Sequence, residues 1–235
     1  MERIQGPIFD IFNAMSGRVP WSYAIISCFA VAVIIFVVFP IHECAHGLMA
    51  KILGDDTAER EGRLTLNPFS HIDPMGALCM CFCCIGWAKH TPVNINRCRK
   101  VKSRTALALT SLAGPVSNIL LAYVFIIVAK AIPLIMSNAD TAGYVILGLY
   151  YAIVLNVYLA IFNLLPVPPF DGSKILYSFL PAKGINFMER YSQVIYLAFF
   201  AFLIFGALDV PLNFLTDCVI WVLDKASFFM PYNLF

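Results

Sequence analysis

Charge is what this chain has least of. Only 13% of its 235 residues are Asp, Glu, Lys or Arg, roughly half the share of a soluble globular domain. The net charge of +2 is too small and too dispersed to suggest a nucleic-acid partner. A Walker-type glycine–lysine loop and a dinucleotide glycine fingerprint are both missing, which removes the two usual phosphate cradles. Residues 1–20 carry charges and prolines and lack a separate short apolar core. No cleavable signal peptide is therefore expected, and the first span serves as its own insertion signal. Cysteine is present, but in the wrong pattern for a disulfide scaffold: Cys79, Cys81, Cys83 and Cys84 crowd into the apolar run CMCFCCIG. That spacing fits no usual zinc pair either, so the four are read as small, reduced, membrane-embedded hydrophobes.

Apolar residues are what the chain has in excess. They make up 60% of it, the mean hydropathy is +0.80, and they gather in blocks of about 20, the length that carries a helix across about 30 Å of hydrocarbon. The fold expected is an all-α integral membrane protein, a polytopic helical bundle of about four to six spans. One membrane-embedded domain covers 1–235, with a core over 21–180 and C-terminal helices over 190–235. Residues 4–15 look interfacial. Span one runs from Trp21 to Leu53, with Pro40 only kinking it, and the next two run over 105–133 and 144–166. A fourth covers 191–208, and a short apolar stretch follows at 214–223. Residues 74–86 are too short to cross, which predicts a re-entrant segment or hairpin. GRLTLN (62–67) and WAKHTPVN (87–94) read as two short strands near it.

Basic residues orient the bundle. Nine Lys or Arg lie between residues 51 and 104, and Lys174, Lys183 and Arg190 follow span three. Apart from Lys225 in the tail, the other side holds Arg3, Arg18 and Lys130. The N-terminus is therefore placed outside a cell membrane and the basic loops in the cytosol. Span one then ends on the cytosolic side with HECAH (42–46), and span three returns to the same level with PVPPFDG (166–172).

An intramembrane His–Glu–His cluster is costly and calls for a partner or a task. His42 and His46 are four residues apart, so on a helix both imidazoles leave one face and can reach one metal ion. Glu43 lies about 100° around the helix, near such an ion without replacing a ligand. This is the pattern of a zinc hydrolase: protein ligands hold the ion, a water takes the remaining position, and a glutamate removes its proton. A structural polar network is the alternative reading of the same residues.

The chain offers few carboxylates for a third ligand. Asp171 follows a span of the right polarity, on backbone that Pro166, Pro168 and Pro169 keep from being helical. Irregular backbone at membrane depth is tolerated where it lines a cavity. Asp171 could instead be an N-cap of the helix after it. His71 is a rival ligand, and His90, in basic surroundings, a weaker one.

HECAHGLMAKILGD, GRLTLNPFSHIDPMG, GWAKHTPVN, SLAGPVSN and FNLLPVPPFDGSKIL stand in this order over residues 35–180. Together they resemble the site-2 protease family of intramembrane zinc metalloproteases, in its compact bacterial and archaeal form without a PDZ domain. The resemblance implies one zinc per chain on His42, His46 and Asp171, with Glu43 as catalytic base. It implies that Asn163 and Pro169 hold substrate near the metal; their plain reading is a helix-end cap and a kink. GPVSN (114–118) matches the family's second core span, where a small residue would allow close helix packing and Asn118 would hydrogen-bond across helices. Phe170 departs from the family, where leucine commonly precedes the Asp–Gly pair. The C-terminal third matches poorly.

The activity implied is hydrolysis of peptide bonds within or next to transmembrane segments of membrane proteins, near the cytosolic side. Partners are those substrates and the bilayer, with no nucleic acid. The two strands would pair with an unwound substrate by edge addition, and Asn163 would stabilise the scissile carbonyl oxygen. Two alternatives stay open: a non-proteolytic membrane zinc protein, and a zinc hydrolase acting on a lipid or small amide.

Overall fold

In a computed structural model, which describes residues 7–83 and 86–230, the chain is helical throughout. Helix α1 covers Pro7–Met15, the described part of the expected interfacial segment. Helix α2 (Trp21–Val33) continues through a π turn (Ile34–Val38) into α3 (Phe39–Leu53), so span one is one helix of 33 residues. Pro40 has no N–H, and its ring would clash with the carbonyl four residues back. The π turn just before it widens the helix, with the Phe39 N–H donating to the Ile34 carbonyl five residues back. The helix therefore passes Pro40 and ends at Gly54, whose φ of 109° only glycine adopts readily.

A single turn, α4 (Thr57–Arg60), and α5 (Pro74–Cys83) precede the long helices α6 (Ser103–Ile135) and α7 (Ala139–Leu164). The Asn138 side chain caps α7 by accepting from the Thr141 N–H at 3.0 Å. Then come α8 (Asp171–Phe179), α9 (Ala182–Arg190), α10 (Ser192–Ile204) and α11 (Asp209–Ala226). Among the described residues three helices are long and apolar enough to cross a membrane: Trp21–Leu53, α6 and α7. The expected fourth span is the 13-residue α10, about 20 Å long and short of a full crossing.

Helix α6 is central, packing on α3, α7 and α8, while α11 packs on α7 and α6. Ala122 and Ile126 of α6 meet Ile153, Val157 and Ile161 of α7 and Leu212 and Ile220 of α11 in one core. The opposite face of α6 exposes Val116, Leu120, Val124 and Val128, an apolar stripe at four-residue spacing that suits lipid. Lys130 and Asp224, both buried, join α6 to α11 through an ion pair of 2.9 Å.

The expected strands do not form among the described residues. The second segment pairs instead with residues beyond GRLTLN, at one antiparallel bridge of Ala88 with Ile72, beside a bond from the Lys89 N–H to the His71 carbonyl. Side chains take the backbone groups a ladder would need. The Thr65 hydroxyl accepts from the Asn67 N–H, Asn67 Oδ1 accepts from the Phe69 N–H, and the Thr65 carbonyl accepts from His71 Nε2. The short apolar segment after them is α5, a ten-residue helix packed on α1 and α2. Cys79 and Cys81 lie on it, and Cys81 has no disulfide; Cys84, and the side chain of Cys83, lie outside the described residues.

Candidate active site

On α3, His42 and His46 face the same way, with their Nε2 atoms 3.0 Å apart. Asp171 arrives from the first turn of α8. Its Oδ2 lies 3.3 Å from His42 Nε2 and 3.1 Å from His46 Nε2. Three elements place it. Gly172 lets α8 start against the end of α7, since a Cβ there would sit 2.2 Å from the Leu164 carbonyl oxygen. Phe170 packs edge-on against Phe162 and Phe199, at 4.5 and 5.5 Å between ring centres. Lys174 Nζ holds the other carboxylate oxygen at 3.1 Å. The cap position of α8 belongs to Phe170, and Asp171 makes no capping bond; its side chain is turned to the histidines instead.

The proton positions follow from the partners. His46 Nδ1 is 2.7 Å from the Thr110 carbonyl of α6, so it carries the hydrogen and leaves Nε2 as a bare lone pair. That lone pair, Oδ2 of Asp171 and Nε2 of His42 converge within about 3 Å, where acceptors repel unless a cation or proton lies among them. A tetrahedral zinc with ligands at 2.0–2.1 Å needs donor atoms about 3.4 Å apart, so the donor triangle fits one zinc ion after an expansion of a few tenths of an ångström. No other group of three such side chains could hold a metal among the described residues.

Gly114 of α6 makes this approach possible, since an added Cβ would fall 2.3 Å from His46 Nε2 and 2.6 Å from His42 Nε2. Glu43 lies beside the triangle, buried, with Oε2 accepting from the Thr91 N–H at 2.6 Å and Oε1 3.4 Å from His90 Nδ1. All four residues line a cavity of about 580 Å³, whose walls also include Asn163 and Pro169. The Asn163 amide is turned back on its own helix, donating to the Leu159 carbonyl at 2.9 Å. His71 is outside the cluster: it is fully buried and bonded to Thr65. Asn118 is buried on the α7 side of α6, but the cross-helix bond uses its backbone carbonyl, which accepts from Asn156 Nδ2.

The sequence offered no rule that would have found His90 and Thr91 on Glu43. GWAKHTPVN marks the segment, but nothing in it says which backbone N–H faces which carboxylate.

Three acceptors gathered for a cation, with a further carboxylate beside them and membrane-length helices around them, define a membrane-embedded metallohydrolase. Residues 129–206 match Peptidase family M50. YwhC of Bacillus subtilis, named as a zinc metalloprotease, is 38% identical over 174 residues, covering 71% of this chain and 77% of that protein. Rip2 of Mycolicibacterium smegmatis, with a name of the same kind, is 27% identical over 192 residues, 78% of this chain and 69% of the relative. MJ0611 of Methanocaldococcus jannaschii, also so named, is 42% identical over 67 residues, 28% of this chain and 31% of its own. No solved structure gives a significant match. The chain belongs to peptidase family M50, the site-2 protease family.

Proposed function

We propose that this protein is a zinc-dependent intramembrane endopeptidase that cuts within or next to transmembrane segments of membrane proteins, near the cytosolic side. The observation that carries the proposal is the convergence of His42, His46 and Asp171, with Glu43 beside them in one cavity. Zinc is the metal that suits two imidazoles and a carboxylate with one position left open. When bound, it polarises a carbonyl oxygen and lowers the pKa of water to about 7. His42 and His46 hold it through Nε2, with the Thr110 carbonyl fixing the tautomer of His46. Glu43 takes a proton from water as the new C–O bond forms, then gives it to the leaving nitrogen as the C–N bond breaks. Asn163 can stabilise the carbonyl oxygen once its amide leaves Leu159, and Pro169 borders the same space.

The finer architecture belongs to the same proposal. The chain forms one domain over 1–235, with its core over 21–180. Its N-terminus is outside and its site faces the cytosol, as the basic loops suggest. Helix α11 has 18 residues, about 27 Å, and its buried ion pair with α6 supports counting it as a crossing, within a total of about four to six. The segment 86–93 borders the cavity and can offer its backbone to an unwound substrate, even without a strand of its own. No observation favours the lipid or small-amide hydrolase. A purely structural zinc site leaves Glu43 without a task.

The test is zinc per chain together with cleavage of a labelled single-span substrate. The wild type should hold about one zinc. His46→Ala and Asp171→Ala should lose it, while Glu43→Gln should keep it and lose turnover. Full zinc in both ligand variants, or full activity in Glu43→Gln, would remove the proposal.

A further inference from the structure

We propose that His90 is a positioning residue for Glu43, fixing the plane of its carboxylate. The inference rests on the peptidase reading above, in which Glu43 moves the proton. The terminal torsion of a glutamate is broad and roughly two-fold, so one hydrogen bond does not fix which way the carboxylate plane faces. Glu43 has two anchors in reach, one on each oxygen, from adjacent residues of one loop. The Thr91 N–H is bonded to Oε2 at 2.6 Å, and His90 Nδ1 stands 3.4 Å from Oε1. The first alone leaves the plane free to swing about Oε2. The second stops the swing and leaves the remaining lone pairs of Oε1 directed into the cavity.

The His90 ring is largely exposed, 69% by side chain, but the backbone that carries it is held on several sides. Arg63 donates to the carbonyls of Lys89 at 2.6 Å and His90 at 3.1 Å, and also to that of Ser70. The Lys89 N–H bonds to His71, and Ala88 pairs with Ile72. On the other side Gly47 lets α3 come close, since a Cβ there would lie 3.1 Å from Thr91 Cγ2. The loop is thus fixed against the helix that carries Glu43, while the ring keeps freedom to close a few tenths of an ångström. Hydrogen bonds of this kind are often long without substrate and tighten when it binds.

Isosteres make the assignment testable. An asparagine amide reaches where the histidine Nδ1 lies, and a glutamine amide reaches where Nε2 lies. Zinc-loaded, detergent-purified full-length protein would be assayed on a labelled single-span substrate. His90→Ala should lower kcat about 10- to 100-fold, the scale of a misplaced catalytic group, with KM within about twofold and zinc unchanged. His90→Asn should recover most of kcat, and His90→Gln should behave like His90→Ala. A peptide hydroxamate, whose acidic proton passes to the same carboxylate, gives a readout without turnover. Its affinity should fall about tenfold in His90→Ala and return in His90→Asn. Wild-type kcat and hydroxamate affinity in His90→Ala overturn the proposal, as do equal rescue by Gln and Asn, a change confined to KM, or loss of zinc. Glu43→Gln separates the two levels. If it stays active, the peptidase reading fails; if it is dead while His90→Ala is normal, only this inference fails.

Discussion

Gly114→Ala should abolish tight zinc binding without touching a ligand. The added Cβ would lie 2.3 Å from His46 Nε2 and 2.6 Å from His42 Cε1 and Nε2. Ordinary contacts of a carbon begin near 3.5 Å, so about 1 Å must be found, and it must be found at the donor atoms themselves. Two relaxations are open. The imidazoles can rotate, but His46 is tied through Nδ1 to Thr110, one turn earlier on the same helix. Alternatively α3 and α6 can separate, which carries both histidines away from Asp171. Either way the donor triangle opens by far more than the 0.2 Å or so that a metal site tolerates. Losing an outer hydrogen-bond partner of a metal ligand already costs 10- to 100-fold in affinity. Displacing the ligands themselves should cost at least about 100-fold, or about 2.7 kcal/mol.

The opposing effect has a known size and a different signature. Alanine is a better helix former than glycine by about 1 kcal/mol, and α6 is helical on both sides of residue 114. The metal-free variant should therefore gain from propensity what it loses in packing. The loss should appear in the zinc-dependent part of stability, which shrinks by about 1.4 kcal/mol for each tenfold rise in Kd at saturating zinc. Competition against a chromogenic chelator gives Kd, and melting with and without zinc gives the linked stability. A Gly114→Ala protein that binds zinc within about threefold of wild type would refute the reasoning, because the three donors would then not be held by the α3–α6 distance.

Two further predictions concern the frame around the site. Lys130→Met leaves Asp224 buried and unpaired between α6 and α11, and should destabilise the protein by about 3–5 kcal/mol. Adding Asp224→Leu should restore most of it, and an unfolding titration in which the double variant is no better than the single would contradict this account. At Asp55, burial pushes the carboxyl up, but bonds from Thr57 and from the Asn94 N–H, with Arg97 close by, outweigh it and hold it below its ordinary value. Because the folded value is depressed, its contribution is complete above the unfolded pKa of about 3.9 and is lost as pH falls toward the folded one. The melting-temperature gap between wild type and Asp55→Asn should thus be full at pH 7 and shrink below about pH 4; a constant gap would exclude a carboxylate role.

The parts of the fold written in side-chain pattern were legible, and those that depend on backbone were not. The apolar run through Pro40 to Leu53 showed one long helix, because one proline near a single turn cannot stop a pattern that resumes on the same face. The π turn that absorbs it has no residue signature. PVPPFDG announced broken backbone at membrane depth, since three close prolines leave no helical alternative, and so pointed to Asp171 from far away in the chain. GRLTLN misled because its alternation is also what a coil shows when Thr65 and Asn67 bond their own neighbours. Arg63 and Thr91 were not legible at all. One acts through carbonyls and the other through its N–H, groups that every residue carries alike.

Helix α6 supplies none of the donors, yet the site depends on it most. The Thr110 carbonyl sets the tautomer of His46, and Gly114, one turn on, sets how near both imidazoles can come. One turn further, the Asn118 carbonyl accepts from Asn156 and ties α6 to α7, whose far end leads into Asp171. These three residues lie at four-residue spacing, hence on one face. That face relates the histidines of α3 to the carboxylate after α7 through a rigid body, where a loop would leave the spacing loose. The arrangement also answers the energetic problem of polar groups in an apolar bundle. His46 and Asp171 each have a fixed partner outside the donor triangle, in Thr110 and Lys174. On the proposed reading, the three donors are thus brought together before zinc arrives, and little binding energy need be spent on ordering them.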